Sequence, residues 1–226
     1  MQKIPAIPHY TRIGLFIAFF GATIVILAFD YIAPDPLTNA FVIERELSIF
    51  ILAGFLILLI TNGEELELDS IGLHGRHWGK SILWSLLLFF IFFAVILGCL
   101  GLFKLVGISF GQAGSKYDKI SLVVLTLMML RAGVVEEIFY RGYIMERVSK
   151  IYNHWVAYLL IPSFIFGLLH FRQGIGGIII AFVGGLVIGL FYWKTRDLKA
   201  TIMAHFMVDY TPNVLVPLIT GETGNS

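Results

Sequence analysis

Seven apolar stretches follow one another along this chain, with only short polar connections between them. Hydrophobic residues fill 58% of the 226 positions and charged residues 14%, whereas a soluble domain carries roughly 25% charge. So little polar surface cannot cover that much apolar surface in water. A bilayer accepts it, provided each span satisfies its own backbone hydrogen bonds, which a helix of about 20 residues does. The pattern predicts spans at about 12–30, 41–61, 81–106, 119–148, 154–170, 175–193 and 200–219. The expected fold is all-α: a polytopic membrane helical bundle of seven spans, forming one integral membrane domain over residues 1–226. A short eighth helix has room in the long fourth segment or in the 62–80 connection. Pro162, inside the fifth segment, is expected to kink that helix rather than end it.

Charge sets orientation and excludes some partners. The net charge of +1 offers no basic footprint for nucleic acid. The single cysteine, Cys99, can form neither a disulfide framework nor a thiolate metal site. With the N-terminus inside, Lys3, Arg12, Arg76, Lys80, Arg147, Lys150, Lys194, Arg196 and Lys199 all fall on the cytoplasmic side. Arg45, Lys116, Lys119 and Arg172 fall on the other. That asymmetry predicts a cytoplasmic N-terminus and, with seven spans, a C-terminus outside. The first span reads as a retained anchor, because no small-residue cleavage site follows it.

The connections have their own character. TNGEELELDSIGLHGRHWGKS reads as a short amphipathic piece along the headgroup region, with His74 and His77 as interfacial side chains rather than metal ligands. GISFGQAGSKYDK reads as a flexible, glycine-containing turn. Gly177, Ala181, Gly185 and Gly189 recur every four residues, giving the sixth helix a smooth face for close packing.

Ionisable residues inside a membrane are costly and usually functional, and three clusters occur here. The first lies in LMMLRAGVVEEIFYRGYI. Glu137 and Arg141 stand four apart on one helix face, and Glu136 points about 100° away. This suggests that Glu137 is neutralised by Arg141 while Glu136 faces a cavity as general base; the reverse assignment stays open. The second cluster is FGLLH, where His170 can accept a proton, orient water or ligate zinc. The third is HFMVD, whose His205 and Asp209 share a face. Asp209 can fix the tautomer of His205, and His205 can donate to an oxyanion. At 1.5 Å rise per residue, Glu136 and His170 lie roughly 18 and 22 Å from the cytoplasmic ends of their helices, but His205 only about 8 Å. A shared site therefore requires a tilted last helix or a connection that dips inward.

This equipment suits hydrolysis. A glutamate-held water with imidazole donors around the oxyanion needs no cofactor. Zinc held by His170, His205 and one carboxylate is an alternative, and both routes stay open. There is no HExxH and no G-x-S-x-G elbow, and nothing marks Ser163 as a nucleophile. A noncatalytic binding, scaffolding or immunity protein is the main competing class. Transport would call for internal duplication, and none is visible.

EEIFYR at 136–141, FGLLH at 166–170 and HFMVD at 205–209 together resemble the signatures of the CAAX protease and bacteriocin-processing family (CPBP, also called Abi) of intramembrane endopeptidases. The resemblance implies an all-helical fold of about eight spans with its catalytic core within about 119–219. It implies that Glu136 activates water with help from His170, that His205 and Asp209 form the oxyanion side, and that Glu137 and Arg141 support them. Implied partners are a peptide or membrane-protein substrate, such as a prenylated tail or a bacteriocin leader, and the lipid bilayer. The implied location is a prokaryotic cell membrane. The family is commonly labelled metalloprotease, although a glutamate mechanism without metal is also argued for it. Asp209 departs from the usual asparagine: an ionised aspartate only accepts hydrogen bonds, so it would act on His205 rather than on the oxyanion.

Overall fold

The computed structural model describes residues 7–75, 77–109, 117–152 and 154–220. Lys3, Arg76 and Lys116, used in the charge balance, and most of the glycine-containing turn lie outside these residues. Among the described residues there are seven long helices and no strand. They are α1 (His9–Tyr31), α2 (39–63), α3 (Trp78–Val106), α4 (122–151), α5 (Trp155–Leu169), α6 (Gly174–Thr195) and α7 (Leu198–Thr220). All seven predicted segments are helical. Four helices are long and apolar enough to cross a membrane: α1, α3, α7, and α6 together with its leading turn from Phe171. α5 is apolar but shorter, and it continues through Pro162.

Local signals set the helix ends. Thr38, Ser121 and Asp197 each turn a side-chain oxygen onto a first-turn N–H of α2, α4 and α7, at 3.3, 3.4 and 3.2 Å, as N-caps do. α3 stops at Gly107, whose φ of 72° is a left-handed conformation that glycine adopts without strain.

The centre of the bundle is α4. Residues Ile138 to Met145 are buried on every side, the mark of a helix enclosed by others. Around it sit α1, α2, α5 and α7, with the short 3-10 turn Leu68–Ile71 packed on Gly142. α4 and α7 approach to backbone contact. A Cβ on Gly133 would stand 2.9 Å from the Phe206 backbone nitrogen and 3.1 Å from the Ile202 carbonyl oxygen, so only glycine fits. The smooth face of α6 packs within the chain: a Cβ on Gly185 or Gly189 would meet Ser163 or Leu159 of α5, at 3.2 and 2.7 Å.

The two ends of the bundle sort the connections. At one end Glu64 accepts from Thr11 at 2.7 Å, from Tyr143 at 2.7 Å, and from the Arg147 Nε at 3.0 Å. Arg196 pairs with Glu146, and Lys199 donates to the His74 carbonyl at 2.6 Å. The connections expected on one side of the membrane thus do share an end. At the other end Arg172 pairs with Asp30, and the Ser121 N–H donates to Asn39 at 3.0 Å. Arg45 is a correction to the charge balance. It is no loop charge but a buried side chain in α2, paired with Glu46 at 2.7 Å.

The 64–77 connection is also more than a surface piece. Ile71 is fully buried, Leu66, Leu68 and Leu73 pack on the main core, and the Gly72 carbonyl accepts from the Leu198 N–H at 3.1 Å. The start of α7 is therefore enclosed, with Leu198, Ala200, Thr201 and Ala204 at 0% exposure. Arg196 before it stays exposed, but the first turn of α7 is buried, and His205, two turns on, reaches Glu137 of α4.

Two outcomes follow. Gly133→Ala should destabilise by about 1–3 kcal/mol through overpacking, whereas Gly98→Ala, with open space around it, should not; thermal unfolding in nanodiscs compares them. Burial opposes the Glu64 charge, but the hydrogen bonds from Arg147, Thr11 and Tyr143 outweigh it and hold this carboxyl below its usual range. Its contribution is therefore complete above about pH 4.3, the ordinary glutamate value, and is lost as pH falls through the lowered value. Glu64→Gln should flatten that acid loss in a melting-temperature series.

Candidate active site

A local change of helical pitch arranges the acid pair. Ala132–Glu136 is a π-helical turn, and so is Ile138–Met145. In a regular α-helix, residues five apart point about 140° from each other. The wider π turn brings residue i+5 back beneath residue i, and such turns recur at functional sites. Here it places Glu136 under Arg131, whose Nη1 donates to Glu136 Oε1 at 2.6 Å. The expectation of an unpartnered Glu136 is thus revised. Its charge is matched by an arginine on its own helix, which spacing arguments for an α-helix would place on another face.

Glu137 is the fully enclosed member of the pair, with 0% side-chain exposure against 17% for Glu136. Its Oε1 accepts from Arg141 Nη1 at 2.7 Å, the i,i+4 pair read from the sequence, and from His205 Nδ1 at 2.8 Å. The second bond ties α4 to α7 and was not foreseen. Arg141 extends the network: it donates to the Gly185 carbonyl of α6 at 3.3 Å and lies 5.0 Å over the Phe166 ring of α5. One guanidinium thus braces three helices. His205 Nε2 faces Asp209 Oδ2 at 3.5 Å, the pairing expected from their spacing, at a length too great for a tight hydrogen bond.

His170 sits at the C-terminal end of α5, with Nδ1 2.8 Å from the Phe166 carbonyl oxygen. A carbonyl only accepts, so Nδ1 carries a proton, and in the neutral ring Nε2 presents a lone pair. Phe166 is the common neighbour of the three clusters. Its ring centroid lies 4.6 Å from that of His170, 6.3 Å from His205 and 4.9 Å from Tyr140, so both imidazoles border one phenyl ring beside α4. The turn after His170 is held by the Arg172–Asp30 pair.

A zinc site fits this arrangement poorly. Among the described residues no three His, Cys, Asp or Glu side chains group as a metal site, and both ring nitrogens of His205 already face carboxylates. His74 and His77 do not pair either; His74 bonds the Arg196 carbonyl at 3.0 Å. Ser163 is buried and donates to the Leu159 carbonyl at 2.8 Å, as helix serines commonly do. Cavities of about 380 and 330 Å³ lie at the Glu64 end of the bundle, lined by Thr11, Glu64 and Arg147 and by Asp69, Glu146 and Arg196. Neither is lined by the acid pair.

Arg131 and Glu46 are the participants that sequence reasoning passed over. Arg131 Nε donates to Glu46 Oε2 of α2 at 2.6 Å. Both are charged residues within apolar segments, and that was the available signal.

Residues 118–211 match the family model described as type II CAAX prenyl endopeptidase, Rce1-like. The match spans all three clusters and is consistent with the CAAX protease and bacteriocin-processing family. No curated protein and no solved structure matches the chain significantly. The apolar helices and this partial match together indicate an integral membrane protein with a segment similar to that family.

Arg141→Ala should leave Glu137 buried with only His205 to bond it, a loss of about 3–5 kcal/mol. Arg141→Lys should recover part of this, since a lysine keeps the charge but not the planar fork. The melting temperatures of the two variants in lipid nanodiscs check the order.

Proposed function

We propose that this membrane protein, with its CAAX-endopeptidase-like segment, is an intramembrane endopeptidase in which Glu136 and His170 activate water to hydrolyse a peptide bond. The observation that carries the reading is the division between the neighbouring glutamates. Glu137 is sealed and gives Oε1 to both Arg141 and His205, whereas Glu136 stays partly exposed, held on one oxygen by Arg131. A base must reach water, and of the two Glu136 meets that need.

In the proposed reaction, Glu136 takes a proton from water as the water oxygen attacks the scissile carbonyl carbon. His170 Nε2, whose lone pair is free in the neutral ring because Nδ1 carries the proton, accepts a hydrogen bond from the second O–H of the water and aims the nucleophile. The oxyanion of the tetrahedral intermediate takes a hydrogen bond from Nε2–H of a doubly protonated His205, whose Nδ1–H stays on Glu137 and whose Nε2–H the long Asp209 contact does not hold tightly. Asp209 then polarises His205 rather than touching the oxyanion. Collapse of the intermediate breaks the C–N bond, and Glu136 passes its proton to the leaving nitrogen, giving an amine and a carboxylic acid, which then loses its proton to the amine, leaving a carboxylate and an ammonium. Glu137 and Arg141 fix His205 and the surrounding helices.

This route uses no metal. The donor arrangement around His205 supports that choice. The substrate class is a peptide or membrane-protein segment that reaches the site from the bilayer, a prenylated tail or a leader peptide among them. The gathering of basic connections at the Glu64 end supports a cytoplasmic N-terminus.

Purified wild-type protein and Glu136→Gln are to be compared on prenylated CaaX peptides and on leader peptides, with cleavage products identified by mass spectrometry. Glu136→Gln should fold normally and lose at least about 100-fold in rate, the scale of general-base catalysis. Undiminished cleavage by that variant would refute the base assignment. Binding without cleavage by the wild-type protein would favour a noncatalytic scaffolding or immunity role.

A further inference from the structure

We infer that Glu46 and Arg131 act as the positioning pair for Glu136, a clamp by which α2 sets the orientation of the proposed base on α4; this rests on the reading of Glu136 given above. The contacts form one continuous chain. Arg131 donates from Nε to Glu46 Oε2 and from Nη1 to Glu136 Oε1, each at 2.6 Å. Two different N–H groups of one planar guanidinium therefore hold two carboxylates from two helices. A lysine ammonium, a point charge on a flexible stem, cannot reproduce that geometry.

Glu46 is itself immobilised. It has 0% exposure, and its Oε1 is taken by Arg45, from Nε at 2.8 Å and from Nη2 at 2.7 Å. Arg45 continues outward, donating to the Tyr117 hydroxyl at 3.1 Å and standing 5.7 Å over that ring. Exposure rises along the chain toward the base, from 0% at Glu46 to 9% at Arg131 and 17% at Glu136. The anchored end is dry, and the end that would meet water is the base.

The charges balance, two arginines against two glutamates, but balance alone does not account for them. Buried ion pairs are often no more stabilising than apolar residues of similar size, and charged groups inside a membrane segment are costly. What this chain adds over apolar packing is direction. Arg131 fixes Oε1, which restricts rotation of the carboxylate and assigns Oε2 to the water. Sub-ångström placement of a reacting group governs rate, and a displacement near 1 Å costs about 100-fold.

Steady-state kinetics on a peptide that the wild-type protein cleaves test the clamp, with Glu46→Gln, Arg131→Lys, their double variant and Glu136→Gln. Loosening the base should lower kcat about tenfold or more in either single variant while KM stays within about twofold. The double variant should be no slower than Arg131→Lys, since both act through the same oxygen of Glu136. A folded Glu46→Gln protein with unchanged kcat, beside an inactive Glu136→Gln, overturns the clamp and leaves the base assignment standing. An active Glu136→Gln overturns the base assignment itself, and the clamp with it. If Glu46→Gln does not fold, Arg131→Lys decides: wild-type kcat, or a matching rise in KM, rejects positioning.

Discussion

A charge buried among apolar helices must find its counter-charge, and that requirement orders much of this molecule. Lipid-facing helices gain little from apolar contact with one another, because lipid tails are as apolar as leucine. Apolar surface therefore says little about which helix lies beside which. The ion pairs say it directly. Glu46 of α2 is tied to Arg131 of α4, Glu137 of α4 to His205 of α7, and Glu64 to Arg147 at the bundle end. Each pair joins segments distant in the chain, so neutralisation and helix adjacency are one problem with one solution.

α4 is where these demands meet. Its π turns let one helix present Arg131, Glu136, Glu137 and Arg141 in an order that a regular pitch would not give. Gly133 then lets α7 approach to backbone contact, so that His205 reaches Glu137. The consequence is a division of labour between two adjacent, chemically identical residues. One glutamate is sealed by two partners and braces the bundle. Its neighbour keeps one oxygen clamped by Arg131 and 17% of its side chain exposed. Environment, not residue type, sets the two apart, and on the proposed reading it assigns one to bracing and the other to catalysis.

The end of the bundle supports the interior site from below. Residues 64–75 fold inward as a plug, with Ile71 on Gly142 and Gly72 bonded to Leu198. Because that plug covers the start of α7, the last helix begins within the protein rather than at its surface. His205 then needs only two turns to stand level with the acid pair. Through the backbone of Gly72 and the side chain of Ile71, this segment thus affects the site from a distance.

The helices, their limits and the three polar clusters were legible in the sequence, because they follow from periods and runs: about 20 apolar residues per span, and i,i+4 spacing for Glu137–Arg141 and His205–Asp209. The depth mismatch of His205 was legible too, as a problem with two candidate solutions. What only the tertiary structure decided was partnership across helices. In the sequence Arg45 counts among the outer charges, Arg131 is one more residue of a span, and nothing singles out Glu46. Glu136 seemed unpaired because an α-helical pitch hides a five-residue contact. One-dimensional spacing determines which residues share a face of one helix. It carries no information on the distance between two helices, and in a low-dielectric interior that distance determines which charge meets which.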